Sequence, residues 1–208
     1  VTGRYLAEFR RPLVIAGIAA VGLVSSYAIA VQRPLPSSEI DLTDLINDAP
    51  GWVASALYPI MQMGTFAGPI IVAVLIAVFR RDLVLSAAVV VVGIATWFAA
   101  KGVKKVVERG RPLTYMPDIV VREGDGTGLG YISGHSAVAA SAAIMAMVAL
   151  PRRWRPVAAV VAVLVGIGRI VHGVHLAADV VGGWSFGVLT GLAGLWLAGL
   201  VADRRTVS

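Results

Sequence analysis

The sequence predicts an all-α integral membrane protein, a single domain over residues 1–208 folded as a bundle of six transmembrane helices. Three observations lead there. Hydrophobic residues make up 58% of the chain and charged ones only 14%, where a soluble domain carries about 25%. Mean hydropathy is +0.82. The apolar residues fall into runs long enough to cross a bilayer at ~20 residues per span, separated by short polar or basic stretches. The length fits one domain, and no linker or internal repeat divides it. Cysteine is absent, which excludes disulfides and thiol chemistry.

Taken in order, residues 1–12 bring Arg4, Arg10 and Arg11, and an apolar run from Leu13 to Val31 follows. The basic start and Ala28-Ile29-Ala30 imitate a cleavable signal, but the run exceeds a signal core of about 7–15 residues and more spans follow. Residues 32–50, with Pro34, Pro36, Glu39, Asp41, Asp44 and Asp48, predict a loop and a short interfacial helix. Ser38 and Asp41 are spaced as in a capping box, Ile40, Leu45 and Ile46 are expected to face lipid, and the segment reads as a plain connector more than a lid. The second span lies within Val53–Phe79, bent by Pro59, Gly64 and Pro69, which neighbouring helices make tolerable. Arg80-Arg81-Asp82 ends it. The third runs from Leu83 to about Ala100.

The Gly-rich stretch at 122–130 lacks the Lys-Ser/Thr pair of a nucleotide-binding loop and reads as a flexible connection. A fourth span reaches from Ser133 to Leu150, before the basic turn Pro151-Arg152-Arg153-Trp154-Arg155-Pro156. The fifth covers Val157 to about Val174 and the sixth about Ala178 to Val201, ahead of Asp203-Arg204-Arg205. Gly183, Gly187 and Gly191 form a small-residue stripe for close helix packing.

With six spans, the basic groups at 4–11, 80–81, 152–155 and 204–205 share one face. Lys and Arg mark the cytoplasmic side, so that face and both termini are inside, and 101–135 with His175 lies on the periplasmic or extracellular side of a plasma membrane. The net charge of +6 is thereby read as membrane topology, and nucleic acid is not an expected partner. Lys101, Lys104, Lys105, Arg109, Arg111 and Arg122 break the inside rule, an exception that wants an anionic ligand.

The topology gathers three polar stretches at the outer level: Lys104 to Pro112, Ser133-Gly134-His135, and Arg169 with His175 and Asp179. Arg169 stands inside an apolar segment, where an ionisable residue marks function. One unbroken helix would point Arg169 and His175 apart, so a break near Gly173 is expected, with His175 opening the next helix. The chemistry that fits is phosphoryl transfer. His175 is the candidate nucleophile, its Nδ1–H held by Asp179 so that Nε2 is free. His135 is the general acid for the leaving oxygen and then the base for water. Lys104, Arg111 and Arg169, with the Ser133 hydroxyl and the Gly134 amide, neutralise the phosphoryl oxygens. These fixed cations supply the charge a metal would bring, so neither metal nor other cofactor is expected. His172, three residues from His175, reads as structural in preference to a metal ligand or a pH-sensitive neighbour.

Lys-x6-Arg-Pro at 104–112, Ser-Gly-His at 133–135 and Arg-x5-His-x3-Asp at 169–179 resemble the three signatures of the type 2 phosphatidic acid phosphatase (PAP2) superfamily. Ile132 stands where that family usually has Pro, and Gly168 where it usually has Ser. The resemblance implies a phosphohistidine on His175, acid–base work by His135 and metal-independent hydrolysis of a membrane lipid phosphate. A polyprenyl diphosphate or phosphate is the leading substrate. Phosphatidic acid or phosphatidylglycerol phosphate is the nearest rival, a lipid phosphotransferase the second, and a catalytically silent binding or channel module the third.

Overall fold

A computed structural model describes residues 4–205. Residues 1–3 and 206–208, the two ends expected on the inner face, lie outside the described residues, as does the side chain of Arg205. Helix α1 (Pro12–Ala30) begins at a proline, whose preset φ and missing N–H suit a first turn. It lies against α8 (Ala177–Arg205) and turns Leu13, Ile18 and Val24 outward.

The acidic stretch folds as α2 (Ser37–Asn47), with the polarity of a surface helix reversed. Glu39, Thr43 and Asn47, four residues apart on one face, are buried, while Leu42 and Leu45 are exposed. The expected capping box does not form, because the helix already starts at Ser37 behind Pro36 and no side chain caps it. Ile40 and Ile46, expected against lipid, pack inward. The polar face has a protein partner, so the segment is more than a connector.

The second span is bent as expected, at Gly64 and not at Pro59. Helices α3 (Gly51–Met61) and α4 (Ala67–Arg80) meet at 66° around a 3-10 turn, Gln62–Gly64. The corner presses between α6 (Gly134–Ala149) and α7 (Arg155–Val171). A Cβ on Gly64 would lie 2.7 Å from the His135 carbonyl oxygen and 2.8 Å from the Val165 side chain. Thr65 closes the corner, its Oγ1 donating to the Gln62 carbonyl at 2.7 Å and accepting from the Ala67 amide at 3.2 Å.

Helix α5 (Leu83–Val107) is capped by Asp82, whose carboxylate accepts from the Leu85 amide at 3.0 Å. It runs past the expected end near Ala100 and stops at Glu108, in the left-handed region at φ 50°. The extension carries Lys101, Lys104 and Lys105 on a rigid element. Helix α6 has only 16 residues, about 24 Å at 1.5 Å per residue, and is buried almost throughout by α4, α5, α7 and α8. The glycine stripe packs as expected. A Cβ at Gly183 would sit 2.5 Å from the Ser133 carbonyl oxygen, and one at Gly191 3.0 Å from that of Ser141.

The protein is thus an all-helical, multi-pass membrane protein. By length and composition four helices qualify as spans, or five if the bent α3–α4 pair is one. Six were expected, and the difference lies in α6, an apolar helix too short for that criterion. Surrounded by other helices, α6 meets protein where a lone span would meet lipid.

Candidate active site

The three polar stretches converge on a cavity of about 360 Å³. Lys104, Arg111, Gly134, His135, Arg169 and His175 line it, joined by Lys101, Lys105 and Trp97. Ser133 and Asp179 are fully buried and stand behind the lining.

Lys104, in the last turn of α5, donates its ammonium to the carbonyls of Leu129 at 2.9 Å and Gly130 at 2.6 Å. Those carbonyls belong to the Gly-rich loop, read from sequence as a flexible connection. It is tied down instead: Gly110 and Leu129 form an antiparallel bridge, the Arg111 amide reaches the Gly128 carbonyl at 3.1 Å, and the Gly130 amide reaches that of Arg109 at 2.7 Å. The loop therefore aims Lys104. Arg111 leaves it in extended backbone enforced by Pro112. Burial, and next the neighbouring Arg169, lower the Arg111 pKa, although a guanidinium stays protonated in proteins.

Arg169 sits near the end of α7, 4% exposed, with the Glu123 carboxylate 2.5 Å from its guanidinium. The Nε atoms of Arg111 and Arg169 are buried without a hydrogen-bond partner in the protein. Each such donor costs about 1–3 kcal/mol. Five cations line one cavity, two of them with unmet donors, and together they favour an anion there.

His135 lies in the first turn of α6, its ring edge-on to Trp97 at 5.5 Å, and Trp97 packs on Phe66 at 5.4 Å. Ser133 caps that helix. Its Oγ accepts from the Ser136 amide at 3.4 Å and the Ser136 hydroxyl at 2.9 Å. The break expected near Gly173 is present, at φ 69°. A Cβ there would meet Val121 Cα at 3.1 Å, so the position needs glycine for both conformation and space.

His175 follows in the turn before α8, slightly ahead of the helix start expected for it. Its Nδ1 is 3.2 Å from Asp179 Oδ2. An ionised Asp179 holds the proton on Nδ1 and leaves Nε2 for chemistry. Burial first, then the charges of Lys104, Arg169 and Arg111, hold the His175 pKa well below its ordinary value. That favours the neutral ring, the form in which an imidazole nitrogen has a free lone pair.

Sequence reasoning missed the supports. Arg109, 0% exposed, donates to Asp179 Oδ1 at 3.0 Å and to Glu39 Oε2 at 2.5 Å. Arg122 donates to the carbonyls of Asn47 at 2.9 Å and Ala49 at 3.1 Å, and to that of Val171. The Asn47 side chain bonds Val120, Ile170 and Val171. Arg109 and Arg122, counted among the outer cations wanting an anionic ligand, thus serve the protein itself, and only four of the six line the cavity. The readable signal was the i, i+4, i+8 spacing of Glu39, Thr43 and Asn47. His172 is buried, its Nδ1 2.8 Å from the Gly168 carbonyl and its ring against Tyr58 at 6.2 Å. Among the described residues no three His, Asp or Glu side chains gather as a metal site.

Two solved structures share this architecture. One is Aquifex aeolicus LpxE, with a TM-score of 0.65 and 20% identity over 75% of this chain and 93% of that one. The other is the first transmembrane PAP2 type phosphatidylglycerolphosphate phosphatase from Bacillus subtilis, with a TM-score of 0.59 and 23% identity over 97% and 96%. At these identities the likeness speaks for the fold. No curated protein sequence matches the chain. The family model of the PAP2 superfamily matches residues 82–201, more than half the chain and the whole stretch that builds the cavity, and the chain belongs to that superfamily.

Proposed function

We propose that this chain, a phosphatase by its family, hydrolyses a membrane lipid phosphate or diphosphate, with a polyprenyl diphosphate or phosphate as leading substrate. The observation that carries the reading is the cavity lined by Lys104, Arg111, Arg169, His135 and His175, with Asp179 on the far side of the His175 ring. His175 Nε2 attacks phosphorus and the bond to the leaving oxygen breaks. His135 gives that oxygen its proton, then takes one from the water that cleaves the phosphohistidine. Lys104, Arg111 and Arg169 hold the phosphoryl oxygens, with the Gly134 backbone and Ser133, which fixes the helix start. Lys101 and Lys105 line the same cavity and offer a second phosphoryl group a place, which favours a diphosphate.

In this reading the whole of residues 1–208 is one domain, α6 counts as a span to give six, both termini are cytoplasmic and the cavity opens on the outer side of the plasma membrane. The basic ends at Arg80-Arg81 and Arg152-Arg153 support that orientation. Cysteines introduced at Asp125 and Arg153 into this Cys-free chain should label from opposite sides of intact cells, and outside labelling of both contradicts it.

The test of function is phosphate release by purified protein in detergent, with excess EDTA, from polyprenyl diphosphate, polyprenyl phosphate, phosphatidic acid and phosphatidylglycerol phosphate. Release should persist in chelator, be fastest for the polyprenyl diphosphate and be inhibited by vanadate. Activity lost in EDTA and restored by Mg²⁺ overturns the metal-free mechanism. A phosphorylated acceptor in place of free phosphate makes the enzyme a transferase.

A further inference from the structure

We propose that Arg109 and Glu39 are positioning residues that set the charge beneath the nucleophile, a role that rests on the phosphohistidine reading above. The chain of contacts is continuous. His175 Nδ1 meets Asp179 Oδ2 at 3.2 Å, and Asp179 Oδ1 accepts from Arg109 at 3.0 Å. Arg109 donates onward to Glu39 Oε2 at 2.5 Å, and Glu39 Oε1 accepts from the Ala178 amide at 3.0 Å. The Leu176 amide donates to Asp179 Oδ2 at 3.1 Å, so the turn carrying His175 hangs on both carboxylates. Arg109 and Asp179 are 0% exposed and Glu39 is 5% exposed. Neither Arg109 nor Glu39 lines the cavity, so neither touches substrate.

A buried ion network of this kind is a poor way to hold helices together, because desolvating the charges offsets their attraction. Its arrangement fits the reaction better. Before transfer, one guanidinium stands between two carboxylates, and the floor carries one net negative charge. When Nε2 bonds phosphorus, the P–O bond to the leaving group breaks and the ring, still holding its Nδ1 proton, becomes cationic. The floor is then neutral. Arg109 keeps Asp179 ionised at rest, and Glu39 supplies the excess negative charge that the cationic ring meets.

The charged and titratable groups facing the His175–Asp179 pair come from every neighbouring element. They are Glu39 from α2, Lys104 from α5, Arg109 and Arg111 from the segment after it, His135 from α6 and Arg169 from α7. Removing one of them moves the pair's acid limb in a direction set by its sign. Arg109→Gln leaves two unbalanced carboxylates, which favours protonation of the pair. Glu39→Gln keeps the size and the acceptor for the Ala178 amide, removes a negative charge and disfavours protonation. A packing role moves neither limb.

The experiment is the pH profile of kcat, measured with 4-nitrophenyl phosphate and with the lipid phosphate turned over fastest. Each variant is checked for its thermal transition in detergent. Arg109→Gln should move the acid limb up by about one unit or more, the effect expected of a lost opposite charge, and lower kcat at neutral pH with KM little changed. Glu39→Gln should move the limb down. Arg109→Lys should restore the wild-type limb. Limbs that stay fixed, or that move the same way in the Arg109→Gln and Glu39→Gln proteins, overturn the proposal. If Arg109→Gln does not fold, Glu39→Gln decides alone: a downward shift supports the proposal and an unmoved limb overturns it. A wild type that releases no phosphate at any pH overturns the hydrolysis reading itself, and this one with it.

Discussion

Arg109 and Arg111 are two residues apart on one strand of loop and meet opposite surroundings. Arg109 is wholly buried, and its guanidinium lies between Glu39 and Asp179. Arg111 faces the cavity and has no ion-pair partner among the described residues, while the Nε of each arginine is buried without a hydrogen-bond partner. The floor of the site sets one cation between two carboxylates, whereas the cavity above it is lined by cations that, Arg169 aside, have no carboxylate partner among the described residues. Glu123, on Arg169, is the one carboxylate paired with a lining cation among the described residues. A cation set between two carboxylates can orient its neighbours, while one left without a counter-charge suits an anion from outside.

That contrast can be broken at several points, starting where the loss is greatest. His175→Ala should abolish turnover, since nothing else in the cavity is held by a carboxylate in the nucleophile's tautomer. His135→Ala should slow turnover about 10²–10⁴-fold, the usual contribution of a positioned acid–base group. That loss should shrink for 4-nitrophenyl phosphate, whose leaving group needs little protonation. Equal losses for lipid and nitrophenyl substrates would remove His135 from the leaving-group role. Arg111→Ala should lower kcat/KM about 10²–10³-fold, on the scale of one lost transition-state donor. It should move the acid limb of kcat up by less than Arg109→Gln does, because Arg111 acts on the His175 ring, while Arg109 acts first on Asp179. A shift as large as that of Arg109→Gln, with kcat/KM little changed, would assign Arg111 to the floor and erase the contrast with Arg109. Glu123→Gln should act in the other direction and least. Its carboxylate competes with phosphate for Arg169, so KM should fall about 1.4- to fivefold, matching the ~0.2–1 kcal/mol of a partly exposed pair. A rise in KM would make Glu123 a substrate ligand instead.

The all-helical membrane architecture was legible because a bilayer demands long apolar runs and the chain supplies them. The break at Gly173 was legible because Arg169 and His175 cannot share a face on one helix. The motif residues were legible by their chemistry in apolar surroundings. What escaped was whatever depended on a distant partner. Glu39, Thr43 and Asn47 looked like the solvated face of an interfacial helix, and only the fold shows that face turned inward under Asp179 and Val171. Arg122 looked like ligand-binding charge, and it ties the ends of α2 and α7 instead. The Gly-rich loop looked slack because the backbone hydrogen bonds that the Gly128 carbonyl accepts and the Gly130 amide donates leave no trace in residue type. The corner at Gly64 was read correctly as a bend, but its cause, close approach to His135 and Val165, needs three helices in place.

The proposed phosphoryl transfer through His175 leaves a covalent intermediate that can be trapped. Wild type, His175→Ala and His172→Ala proteins should each be mixed with labelled lipid phosphate and quenched rapidly, and the protein-bound phosphate tested for acid lability and base stability. An acid-labile, base-stable adduct is expected on wild type and on His172→Ala, and none on His175→Ala. An adduct that survives His175→Ala and disappears in His172→Ala would contradict transfer through His175.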